Sequence, residues 1–311
     1  MQKKLLANAL VLAFSQKSRF KFMKNLEKNY LTSRVERDHR FELSATPEGR
    51  EIREVLEKEY QRRIAILNKA LDDLKIPKEL IIISPPVLDR TDFGYNTDLD
   101  IIFLGEEEQG SNLYNRLYKE GEFLATVDHY GPERLREIER ALPELYDFLM
   151  RRRGNILVTD PKLAEGSGWN FWGQAEKLEA KARTLLGPEE KEQLREQRLA
   201  IGKQFVDEAR QKANVVAYAF SGSMLENMER FGAISDLDID LVIDSPDPVA
   251  KSNALDWVYV YLKWKYTEEY GIKVDIFPTE LNDLKQMAAL DSDMADFYKR
   301  IFGIDLLEKK S

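Results

Sequence analysis

The chain has 311 residues, 43% of them hydrophobic and 33% charged, with a formal net charge of −8. That length suggests two compact domains, and the acidity weighs against a protein whose main task is gripping long nucleic acid, where a basic footprint is expected. With no cysteine and only two histidines, His39 and His129, disulfide scaffolds, thiolate chemistry and multi-histidine metal sites are excluded, so a metal here is held by carboxylates, which favours hard ions such as Mg²⁺ or Mn²⁺.

In chain order, Lys3-Lys4, an apolar run over residues 5–14 and the small Ser15 follow the pattern of a secretory signal. The same segment also continues as an amphipathic helix through Phe20, Phe22, Met23 and Leu26, which is the preferred reading. No stretch approaches the ~20 apolar residues of a membrane span. Thr46-Pro47-Glu48 then opens a helical pattern, with Thr46 as N-cap, Pro47 at the first helical position, and Ile52, Val55, Leu56, Tyr60, Ile64, Leu67 and Leu71 on one face. The apolar run at residues 80–83 reads as a buried strand.

From here the chain repeats itself. Phe93-Gly94-Tyr95-Asn96-Thr97-Asp98-Leu99-Asp100-Ile101 aligns without a gap on Phe231-Gly232-Ala233-Ile234-Ser235-Asp236-Leu237-Asp238-Ile239, at an offset of 138 residues. The flanks agree: Gly187-Pro188-Glu189 opens a second charged helix, and the run at residues 215–220 supplies a second buried strand. Each copy reads helix, strand, turn, then a strand bearing Asp-Leu-Asp. The expected division is a helical segment at 1–44, a first domain at 45–162, a linker at 163–185 and a second domain at 186–311. The linker's Trp169, Phe171 and Trp172 either cap a ligand pocket or, as preferred, pin the domains together. The expected class is α/β (α+β), each domain a small mixed sheet with flanking helices.

The second copy carries a chemical constellation. A strand ends at Ser221-Gly222-Ser223, and a later strand carries Asp236, Asp238 and Asp240 on one face, with Leu237, Ile239 and Leu241 on the other. A third strand, residues 271–277, offers Asp275 among apolar neighbours. Carboxylates converging on one face repel each other unless a divalent cation neutralises them or water screens them. Gly222 lets the backbone approach a phosphate closely, while N–H groups and the Ser223 hydroxyl can donate to its oxygens.

Strand, Gly-Ser, about a dozen residues, acid-hydrophobic-acid-hydrophobic, then a third acid on a later strand: this arrangement resembles the DNA polymerase β-like nucleotidyltransferase superfamily. The resemblance covers the second copy in outline and does not resolve a subfamily. It implies two tandem nucleotidyltransferase-like domains, with Ser221, Gly222 and Ser223 binding nucleotide phosphate and Asp236, Asp238 and Asp275 as metal ligands and catalytic acids. It implies Mg²⁺ or Mn²⁺ as cofactor, a nucleoside triphosphate such as ATP as substrate, pyrophosphate as product and a cytoplasmic enzyme. The acceptor is a small molecule or protein in preference to RNA, with no membrane partner; oligomeric state is left open. Asp238 and Asp240 fit the acidic pair as well as Asp236 and Asp238 do. The latter pair is preferred because twelve residues separate Ser223 from Asp236, and because the first copy has Ile102 where Asp240 would fall.

The first copy departs from the pattern. Ser84-Pro85-Pro86 stands in place of the Gly-Ser turn, and prolines have no N–H to offer a phosphate. Its third acid is either Asp128, by spacing, or is lost to Val158, by local similarity. The first copy is therefore read as degenerate. The alternative for the whole chain is a non-catalytic nucleotide-binding scaffold or regulatory pseudoenzyme. The aromatic run at residues 257–264 reads as a buried helix, and Arg151-Arg152-Arg153 as a helix end facing water.

Overall fold

Thr46 caps the first helix, α1 (Pro47–Leu74): its side chain accepts a 3.0 Å hydrogen bond from the Gly49 N–H, and Pro47 takes the position where a missing N–H costs nothing. The computed structural model describes residues 46–84, 99–119, 125–156, 159–165, 177–178, 180–226, 228–233, 235–290 and 292–303. The segment 1–44, Pro85, Pro86, residues 93–98 with Asp98, Val158, Ile234 and the linker tryptophans lie outside them, as does His39.

α1 buries Ile52, Leu56, Tyr60, Ile64, Leu67 and Leu71, the expected stripe apart from the half-buried Val55. It is followed by β1 (Ile81–Ile83), β2 (Leu99–Phe103), α2 (Glu107–Lys119), β3 (Ala125–His129), α3 (Pro132–Ala141) and α4 (Pro143–Arg152). Strand order is β1-β2-β3, with β1 antiparallel and β3 parallel to β2. The second half runs α5 (Pro188–Ala209), β4 (Val215–Ser221), α6 (Ser223–Glu226), β5 (Leu237–Ile243), α7 (Pro248–Leu255), a π-helix (Asp256–Leu262), α8 (Lys263–Tyr270), β6 (Val274–Glu280), α9 (Leu281–Leu290) and α10 (Ser292–Phe302). Its sheet has the order β4-β5-β6, with β4 antiparallel and β6 parallel to β5. Both sheets are therefore mixed and three-stranded, with the same order and polarity, each preceded by one long helix, crossed by helix between its parallel strands, and followed by two helices.

The central strands differ in burial for a reason visible in their residues. β2, Leu-Asp-Ile-Ile-Phe, is buried throughout, as a strand covered on both faces must be. In β5, Leu237, Ile239 and Leu241 are buried while Asp238 and Asp240 are only half-buried, so one of its faces stays accessible.

Residues Glu42–Ser311 form one compact unit, and its main core runs without a break from Ile82, Ile102 and Leu145 to Phe205, Ile239 and Trp264. The crossover of the second sheet makes the seam. Phe148 of α4 meets Tyr261 edge-on at 5.4 Å and Trp264 at 6.3 Å. Asp256 accepts hydrogen bonds from Tyr130 at 2.9 Å and from Arg134 at 2.6 and 3.1 Å. The aromatic run is thus helical and buried, as its sequence leads one to expect, and α8 ends where Gly271 adopts φ +66°. Arg152 stacks over the Phe148 ring at 3.7 Å and pairs with Glu268 across the seam, while Arg153 donates to the Glu79 carbonyl within the first half. Among the described residues no helix is long and apolar enough to cross a membrane.

Candidate metal centre

The centre is assembled by the register of the second sheet. Ser221 at the end of β4 lies opposite Asp238, and Asp238 lies opposite Asp275 on the parallel strand β6. Side chains of directly paired residues share a face, so the Gly-Ser turn and two acids meet at one edge of the sheet. Asp236, just before β5, joins them. One carboxylate oxygen from each of Asp236, Asp238 and Asp275 lies within 4.8 Å of the others, a group that could hold a metal ion. Asp240 falls outside this group, one alternation further along β5, although its charge acts on Asp238.

Gly222 has φ +75°, a conformation that disfavours any side chain. A Cβ there would fall 1.9 Å from Asp238 Oδ2. Backbone and carboxylate therefore occupy adjoining space that only glycine leaves open. The chain then enters α6 at Ser223, with the Leu225 N–H donating to the Gly222 carbonyl at 3.1 Å.

Electrostatics set the character of the site. Burial pushes the Asp238 carboxyl up to about 7, helped by the charges of Asp236 and Asp275 and opposed by Lys273. Burial also raises Asp236; Lys273 opposes this, while Asp275 adds repulsion and a shared hydrogen bond. Lys273 Nζ lies 2.6 Å from Asp275 and 4.0 Å from Asp236. Burial works against its ammonium, but the charge and hydrogen bond of Asp275 together with the charge of Asp236 outweigh this and hold its pKa above the usual value. Three carboxylates against one ammonium leave two formal negative charges, the complement of one divalent cation. Donors that are all oxygen suit a hard ion.

The first sheet matches this geometry strand for strand, with other residues. Asp100 stands where Asp238 stands, and β3 places Thr126 opposite it. The position opposite the central aspartate is thus filled by Thr126 and not by Asp128, which pairs with Ile102; Val158 lies outside the described residues. Thr126 is the second residue of β3, as Asp275 is of β6, whereas Asp128 is the fourth. The Thr126 hydroxyl donates to Asp100 Oδ1 at 2.9 Å, and Lys263 Nζ of the second half lies 2.9 Å from Asp100 Oδ2.

Lys273 was legible but missed: it stands two residues before Asp275, hence on the same face. Lys263 had no local signal, since its partner belongs to the other half. His129 is occupied by the Gly105 carbonyl. A cavity of about 470 Å³ opens at the seam, lined by Asp128, Tyr130 and Arg134 from the first half and by Asp256, Tyr259 and Pro278 from the second, among others. Set against protein families, curated proteins and solved structures, the chain matches none of them.

Proposed function

We propose that the second half is a divalent-metal-dependent nucleotidyltransferase, acting at the edge of the sheet where Gly222, Asp236, Asp238 and Asp275 meet. The observation that carries this reading is the packing of three carboxylates within 4.8 Å of each other, directly against a glycine turn with no room for a Cβ. On this reading Asp236, Asp238 and Asp275 hold Mg²⁺ or Mn²⁺, and the two strand-paired halves of the fold are a tandem duplication whose first copy has lost the site. The metal supplies charge neutralisation for the triphosphate and a lowered pKa for the attacking hydroxyl. The N–H groups and hydroxyls of residues 221–223 bind the phosphates and orient the α-phosphorus. Asp275 takes the proton of the acceptor hydroxyl as its oxygen bonds to the α-phosphorus; the bond to the bridging oxygen breaks and pyrophosphate leaves. Lys273 then has a second task, to balance Asp275 and Asp236 before substrate arrives. The acceptor on this reading is a small molecule or a protein side chain in preference to a nucleic acid strand, in keeping with the net charge of −8.

Calorimetry with each of the four nucleoside triphosphates, with and without Mn²⁺, tests the reading, together with pyrophosphate release. Triphosphate binding that needs Mn²⁺ is the expected result, and no binding under any condition would sink it. Lys273 favours a second reading, a non-catalytic scaffold, because its ammonium already neutralises part of the cluster. A scaffold binds triphosphate with no dependence on Mn²⁺ and releases no pyrophosphate.

A further inference from the structure

We infer that Lys263 fills, in the first sheet, the place that a metal ion takes in the second, so that the first half serves as an electrostatic and mechanical seat for the crossover helix of the second. This extends the reading of Asp236, Asp238 and Asp275 as metal ligands and rests on it. The register makes Asp100 the counterpart of Asp238 and Thr126 that of Asp275. At Asp238 the surrounding charges are the carboxylates of Asp236, Asp275 and Asp240, with the Lys273 ammonium opposing them. At Asp100 the strand-paired position holds a neutral hydroxyl on one oxygen, and an ammonium meets the other, each at 2.9 Å; Asp98, which aligns with Asp236, lies outside the described residues. Both partners of the ion pair are nearly buried, with side-chain exposures of 6% for Lys263 and 12% for Asp100. A divalent cation at Asp100 would have to displace Lys263, whose stem is enclosed and whose Nζ also lies 4.8 Å from the Tyr259 ring.

Lys263 is the first residue of α8, at the junction with the π-helix, and α8 packs against β6, the strand that carries Asp275. One residue therefore ties the first sheet to the element behind the metal centre. Within the second half, the Asp275 carboxylate is one of the charges that act on the Lys263 ammonium, after that of Asp100. In the intact pair Asp100 cancels that positive charge. The first half thus bears on the second through this ion pair. Asp100 is a positioning residue, retained as counter-ion for Lys263 and no longer as a metal ligand.

The test uses the full chain and Mn²⁺ itself as probe, with three variants: Asp100→Asn, Lys263→Met and the double variant. Asp100→Asn leaves the ammonium unbalanced near Asp275, so Mn²⁺ should bind more weakly, on the order of fivefold. Lys263→Met removes that charge, so Mn²⁺ should bind more tightly by a similar factor, and the double variant should return close to the original affinity. Opposite signs are the signature, because loosening of the fold alone would weaken binding in both single variants. Single-variant shifts of the same sign, or none while the original chain binds Mn²⁺, overturn the proposal and leave the metal centre standing. Should the original chain bind no Mn²⁺, the metal reading fails and this inference falls with it. Thermal unfolding of the same set then shows whether the pair survives as a structural seat alone, each single variant melting lower than the double.

Discussion

Gly222 and Asp238 form the most constrained contact of the centre. Gly222→Ala places a methyl group where Asp238 Oδ2 now lies and forces a side chain into φ +75°. The backbone strain alone is worth about 1–3 kcal/mol, and the clash displaces the carboxylate. The expected outcome is a folded protein by circular dichroism whose thermal unfolding no longer responds to Mn²⁺; an unchanged response would show that Asp238 is no ligand. On the proposed nucleotidyltransferase reading, Asp236→Asn and Asp238→Asn each remove a charge that the metal would need. Pyrophosphate release should fall roughly a hundredfold or more in each, the loss of several kcal/mol of transition-state stabilisation. Asp100→Asn leaves this chemistry within about tenfold, in keeping with the ~fivefold change in Mn²⁺ affinity expected of it.

The raised Asp238 carboxyl gives the centre a pH signature. Its folded pKa of about 7 exceeds the unfolded value of about 3.9, so between these limits the folded chain holds a proton that the unfolded chain has released. Stability from this group is present below the unfolded pKa and is lost as pH rises through the folded one. Metal-free Asp238→Asn should therefore gain in melting temperature over the original chain as pH rises from about 5 to about 8. Mn²⁺ needs the ionised carboxylate, so its stabilisation of the original chain should grow over the same interval. Scanning calorimetry with chelator and with Mn²⁺ measures both, and a variant advantage that stays flat with pH would contradict the assigned cause.

At the level of elements, the centre depends on how closely α5 approaches β4. A Cβ at Gly202 would fall 2.4 Å from the Phe220 ring, one residue before Ser221. Gly202→Ala should cost about 1–3 kcal/mol through overpacking in a chemical denaturation curve, although alanine favours helix more than glycine does. A stabilised variant would show that Phe220 can turn away freely. The crossover is the other critical element. Its π-helical turn carries Asp256 to Tyr130 and Arg134 at one end and delivers Lys263 to Asp100 at the other. π-helical insertions are uncommon and often sit at functional sites, and here the insertion aligns two ion pairs along one seam. Arg134→Met leaves Asp256 mostly buried without its cation, which should cost about 2–4 kcal/mol; an unfolding midpoint that does not move would show that Tyr130 and water suffice.

For the molecule as a whole, the repeat was plain in sequence because nine residues around Asp-Leu-Asp align without a gap, and because Thr46-Pro47 and Gly187-Pro188 each begin a long helix. Alternation alone placed Asp238 on the accessible face of β5 and Leu237, Ile239 and Leu241 beneath it, since a strand's period of two is a local property. Local pattern also marked the buried helix before Gly271 and the glycine turn at 222. Only the tertiary structure decided what these elements meet. The choice of Asp236 with Asp238 over Asp238 with Asp240 depended on where β6 brings Asp275, and the identity of Thr126 as the counterpart of Asp275 depended on the register of β3. Neither can be read along the chain, because parallel strands are paired through a crossover whose length varies between the halves. The pairing of Lys263 with Asp100 was further out of reach: it joins residues from different halves, and it forms because both are buried where an unpaired charge would be costly.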